Sequence, residues 1–155
     1  MEGYFNHEEL LAFKNCENKP LTKVVHHFWI NRTQPGELFE FLDKIELTFG
    51  DNSRLVFATK TDELPGICLD QDFDSEKEKF LLMNDFGGKI DMRSSVETSS
   101  GLWKDAEGKI LREVQLVDDG ENTYRDDAVL LDFGDHKIEL RPAAEGLILE
   151  PFEDV

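Results

Sequence analysis

The chain has 155 residues, with 34 Asp and Glu against 17 Lys and Arg, a formal net charge of −17. Its hydrophobic content of 39%, with 12 Phe and 2 Trp, suits a single packed domain over residues 1–155 and sets it apart from a disordered acidic tail. The charge repels nucleic-acid phosphates and acidic membrane surfaces, so neither is an expected partner.

The opening segment, Met1 to Glu9, has no basic start and no apolar stretch, so no secretory leader is expected. No apolar run approaches the roughly 18–20 residues of a membrane-spanning helix. Cys16 and Cys68 are too few for a disulfide framework and read as reduced, packed thiols of a cytoplasmic protein. Acidic neighbours around Cys68 disfavour its thiolate, which argues against a nucleophile there.

In chain order, residues 7–15 favour a short helix with Asn6 as its N-cap. Val24, Val25, Phe28, Trp29 and Ile30 mark a strand over 21–31. Gln34-Pro35-Gly36 is a turn, and 37–43 reads as a helical turn or the start of the next strand. Ile45, Leu47 and Phe49 then alternate with Glu46 and Thr48, and Leu55 to Phe57 return after a Gly-Asp-Asn-Ser turn. That is a hairpin with one face in a core. Phe80 to Met83 reads as a short buried run before Gly87-Gly88, in competition with a helix over 75–83. Residues 89–93 read as a strand and 94–101 as a Ser/Thr-rich loop. After a turn at 105–108, one strand is expected over 110–117. Val129, Leu131 and Phe133 alternate, Ile138 and Leu140 return, and Glu145-Gly146 turns the chain before Leu147 to Leu149. The fold class is therefore mainly β, with antiparallel meanders and hairpins of about eight to ten strands and one or two short helices. An α+β arrangement is the alternative.

One constellation recurs. Trp29, Gly36 and the hairpin tip Phe49-Gly50-Asp51 are echoed by Trp103, Gly108 and Phe133-Gly134-Asp135. The echo raises an internal duplication of 21–60 and 102–142, two related β units. The competing reading is that apolar strand ends followed by Gly-Asp are common hairpin tips.

The negative charge is concentrated. Residues 62–78 carry seven acids against Lys77, and 118–127 carry five against Arg125. Together these stretches account for ten of the seventeen excess charges, with Glu150, Glu153 and Asp154 adding an acidic end. The expected partner-binding residues are Asp70, Asp72, Asp74, Glu76, Asp118, Asp119, Glu121, Asp126 and Asp127. The alternation Asp70, Asp72, Asp74, Glu76 invites a calcium loop. Counted from Asp70, however, the glycine position holds Ser75 and the bidentate Glu position holds Leu81.

Other chemistry is weakly signalled. His26 and His27 are strand neighbours and point to opposite faces, so they cannot readily share one metal. His136 follows a hairpin tip and is expected to face solvent. Gly87-Gly88 precedes a strand, not a helix, and so lacks the setting of a phosphate loop. Trp29 and Trp103 read as core or interface aromatics, and Arg125 and Arg141 as surface partners for acids. No catalytic residue, metal ligand or cofactor is assigned. The expected function is a small intracellular acidic binding protein without catalytic activity that engages a basic protein partner. One version is an immunity-type inhibitor of a toxin. A carboxylate- or calcium-dependent enzyme and a self-associating module, for example a homodimer, are the alternatives.

Overall fold

A computed structural model describes residues 3–34, 36–60 and 65–152. The expectations at Pro35, at residues 62–64 and at the acidic end (Glu153, Asp154) lie outside that set. The chain order is α1 (His7–Cys16), β1 (Lys19–Asn31), β2 (Phe39–Phe49), β3 (Arg54–Thr59), β4 (Ile67–Leu69), α2 (Ser75–Phe86) and β5 (Ile90–Val96). A short 3-10 helix (Gly101–Asp105) follows, then β6 (Ile110–Leu111), β7 (Glu113–Asp118), β8 (Tyr124–Asp132), β9 (Lys137–Pro142) and β10 (Leu147–Pro151). The architecture is mainly antiparallel β with two α-helices, as expected.

The strands form two sheets. The first runs β4-β3-β2-β1-β5, with β6 pairing the start of β1, and the second runs β10-β9-β8-β7. Each is largely a meander, the cheapest connection for antiparallel strands. The period-two residues do what their spacing predicts. Ile45, Leu47 and Phe49 of the first sheet meet Val129, Leu131, Ile138 and Leu140 of the second in one buried cluster. Burial of each such side chain contributes roughly 1.5–3 kcal/mol. In β1, a bulge between Leu21 and Lys23 lets Leu21 and Val24 both face inward although they are three apart.

Two helices cover this sandwich differently. Phe13 and Cys16 of α1 enter the inter-sheet core, whereas α2 lies on the outer face of the first sheet. There Val56, Phe73, Leu82 and Met92 form a separate small cluster with Trp29 and Ile90.

Several expectations are corrected. The Phe80 to Met83 run is helix rather than buried strand, and Phe80 is 65% exposed. The Asp74 carboxylate accepts from the Glu76 and Lys77 amides, and Gly87 ends the helix at φ 58°, so local capping prevails over the short apolar run. Of the two readings of 37–43 the strand holds, with β2 beginning at Phe39, whereas Ser94 to Val96, expected in a loop, extend β5 beside β1. The expected strand over 110–117 breaks at Arg112, where the chain leaves β6 in one sheet for β7 in the other. Leu111 and Val114, both buried and three apart, record that break of period. Trp29 lies in β1 while Trp103 lies in the 3-10 helix, so the two tryptophans of the echo occupy different settings. The two hairpin tips are alike: Phe49 and Phe133 are buried, Asp51 meets Lys19 at 2.5 Å, and Asp135 meets Lys109 at 2.7 Å.

Candidate partner-binding face

The first acidic stretch is built around the entry to α2. Arg54 holds this entry to the sheet by donating to the Gln71 and Phe73 carbonyls at 2.8 and 2.7 Å. The Gln71 side chain pairs with the backbone of β3 on both sides: its oxygen accepts from Val56 N–H at 2.9 Å, and its amide donates to the Arg54 carbonyl at 2.8 Å. The segment is thus fixed by its backbone and by Gln71, which leaves the Asp72 and Glu76 carboxylates exposed. These two carboxylates have no hydrogen-bond or ion-pair partner among the described residues. Asp74 is exposed and caps the helix. Asp70 is partly covered, 3.9 Å from Lys44.

The second stretch is more self-contained. Asp118 accepts from Gly120 N–H at 2.7 Å in the β7–β8 turn. Asp119 accepts from the Tyr4 hydroxyl at 2.6 Å, which pushes the Tyr4 pKa above its ordinary value. Asp127 accepts from Arg125 at 3.1 Å, while Glu121 is exposed and unpaired among the described residues. Asp126 departs from the expected surface role. It is 2% exposed and forms an ion pair with Lys60. A Cβ on Gly66 would lie 2.8 Å from its carboxylate, so Gly66 is the residue that permits this close approach. A carboxylate desolvated to that degree needs its cation and is withheld from any partner.

The segment leading into α1, and α1 itself, touch both stretches. Phe5 N–H donates to the Tyr124 carbonyl at 2.9 Å, and Asp126 N–H to the Gly3 carbonyl at 3.0 Å. In α1, one Glu9 oxygen closes a capping box with Asn6 while the other accepts from Leu69 N–H at 2.8 Å, just before Asp70. Sequence spacing alone does not reveal this organising role of the N-terminal segment. Asn6 with Glu9 signals the cap, but the bond from Glu9 to Leu69 spans sixty residues.

Two polar networks elsewhere resemble catalytic machinery. His27 Nδ1 lies 2.7 Å from the Ser94 hydroxyl, and Nε2 lies 3.0 Å from Glu46, whose other oxygen accepts from Arg54 at 3.0 Å. Ser94 sits mid-strand in β5, paired across the ladder with His27. Phe73 also closes edge-on over the His27 ring, with centroids 4.8 Å apart. The geometry pins the sheet to the α2 entry. On the opposite face of β1, Trp103, 1% exposed, donates its indole N–H to His26 Nε2 at 2.8 Å, which places the His26 proton on Nδ1. Burial pushes both histidine pKa values down. His136 is half-buried rather than solvent-facing: its Nε2 lies 2.7 Å from the Leu102 carbonyl. Burial, reinforced by Glu9 and Asp70, pushes the Cys68 thiol up to about 11, far from a reactive thiolate. Arg141 lies between Glu139 at 3.2 Å and Glu150 at 2.6 Å.

Among the described residues, no group of three or more His, Cys, Asp or Glu is placed to hold a metal ion, and no helix is long and apolar enough to cross a membrane. Compared with family models, with curated proteins and with solved structures, the chain finds no match.

Proposed function

We propose that this chain is an acidic binding protein without catalytic activity that engages a basic protein partner. One concrete form is an immunity-type inhibitor that covers the cationic site of a toxin. The observation that carries the reading is the pair of exposed carboxylates, Asp72 and Glu76, without partners among the described residues and set on a backbone fixed by Arg54 and Gln71. Fixed, unpaired charge of one sign accelerates encounter with an oppositely charged surface and sets its register. Asp74, Asp118, Asp119, Glu121 and Asp127 are further exposed carboxylates.

The test is affinity capture with the intact chain as bait, at low and at high salt, with mass-spectrometric identification of what is retained. Basic proteins held at low salt and released by salt are the expected result. Recovery of none at low salt ends the reading. Light scattering over a range of concentrations separates a monomeric binder from a self-associating module.

A further inference from the structure

Helix α2 is an unusual covering element. It forms for local reasons: the Asp74 cap, a run of Glu and Lys in its first turns, and the left-handed Gly87 at its end. Leu82 is its buried residue, at 5% exposure. Phe80, Leu81, Met83 and Phe86 stay exposed, with Met83 at 57%. At about 100° per residue, Phe80 lies nearly opposite Leu82. Phe80 therefore points away from the sheet, Met83 lies about 60° round from it, and Phe86, on the side of Leu82, is still 44% exposed. Helix propensity does not call for Phe at that position, since Lys, Glu or Ala would hold the helix better. A neighbouring group of aromatic and Met side chains with a polar rim has the make-up of an interface centre.

We infer that α2 anchors the partner: Phe80, Met83 and Phe86 receive apolar side chains of a basic protein segment, while Asp72, Asp74 and Glu76 pair with its Lys or Arg. This rests on the binding-protein reading and gives it a location. Charge selects the occupant. The stripe is small beside the roughly 800 Å² per partner of a stable interface, so its rim must take part. A second copy would bring another chain of net charge −17 against Asp72, Asp74 and Glu76. A basic segment instead sets cations against all three.

The probe is a fluorescent helical peptide of Leu and Lys, about four turns long, with its leucines on one face. Oligolysine of equal charge is the control, and both are titrated by anisotropy into the whole chain at low salt. The amphipathic peptide binds roughly tenfold or more tighter than oligolysine, a difference of about 1.4 kcal/mol or more. The double variant Phe80→Ser, Met83→Ser removes that advantage while its circular dichroism and oligolysine binding stay as in wild type. Asp72→Asn with Glu76→Gln weakens both ligands. If the Ser variant keeps the full advantage, the α2 anchor is wrong and the acidic-binder reading survives. If oligolysine fails to bind at low salt, both fall. A dimer that the Ser substitutions dissolve makes a second copy the occupant and overturns the inference.

Discussion

The two helices are of similar length and both carry a side-chain N-cap, yet they serve opposite ends. Helix α1 commits Phe13, at 2% exposure, to a stack on Phe57 (centroids 6.0 Å apart) and an edge contact with Phe5 (5.1 Å). Its Glu9 ties the cap to β4. Helix α2 commits Leu82 and leaves larger apolar groups outside. The contrast teaches that apolar content does not set depth of burial. Docking depends on whether the facing sheet surface offers an apolar recess, and under α2 part of that surface is taken up by the His27, Glu46 and Arg54 network.

The contrast can be broken at its strong end first. Phe13→Ala should cost about 3–5 kcal/mol, a fall of roughly 10 °C in Tm for a chain of this size, read by calorimetry. Leu82→Ala should cost less, about 2–3 kcal/mol. Its loss should be local: hydrogen exchange should rise through α2 while β1 and β2 stay protected. Uniform loss of protection would show that α2 is as integral as α1.

Acid sharpens the comparison, because His26 faces the core shared with α1 and His27 faces the α2 side. Burial lowers both folded pKa values from 6.5. Below pH of about 6.5 the unfolded chain therefore binds more protons than the folded one. Stability is full above that pH and is lost as pH falls through the depressed folded values, by about 1.4 kcal/mol per unit of depression. Denaturant titrations at pH 7.5 and 5 should show the drop. His26→Gln, which can still accept from Trp103, should reduce it, and a slope unchanged in both His26→Gln and His27→Gln would refute the assignment.

Smaller effects follow at α2. Asp74→Ala should cost about 1 kcal/mol through the lost cap, measured by denaturant midpoint. Phe80→Ser should shift stability by no more than about 0.5 kcal/mol. A larger cost would mean that Phe80 is held by the fold and is not free for a partner.

Much of the fold is legible in the residues. The capping box at Asn6 and Glu9 marks α1, and strict alternation at Ile45 to Phe49 and Val129 to Phe133 marks the two hairpins. Alternation is a property of one strand against one core, so it survives without knowledge of the rest. The short apolar run at Phe80 to Met83 is ambiguous for the same reason: four adjacent apolar residues have no period, and only the Asp74 and Gly87 caps resolve them. The candidate face is legible as composition, down to Asp72 and Glu76, but not as geometry. Asp126 looks like its neighbours in sequence and is buried because β8 passes Gly66.

The sequence by itself determined the alternating hairpin strands, the Asn6 cap and the location of the acidic charge, since each depends on neighbours within one or two turns or pleats. The tertiary structure decided which sheet each strand joins, which acids remain free, and that α2 presents Phe80, Met83 and Phe86 to solvent. Those outcomes depend on contacts between residues far apart in the chain, such as Arg54 with Phe73, Lys60 with Asp126 and Glu9 with Leu69, and no local pattern encodes them.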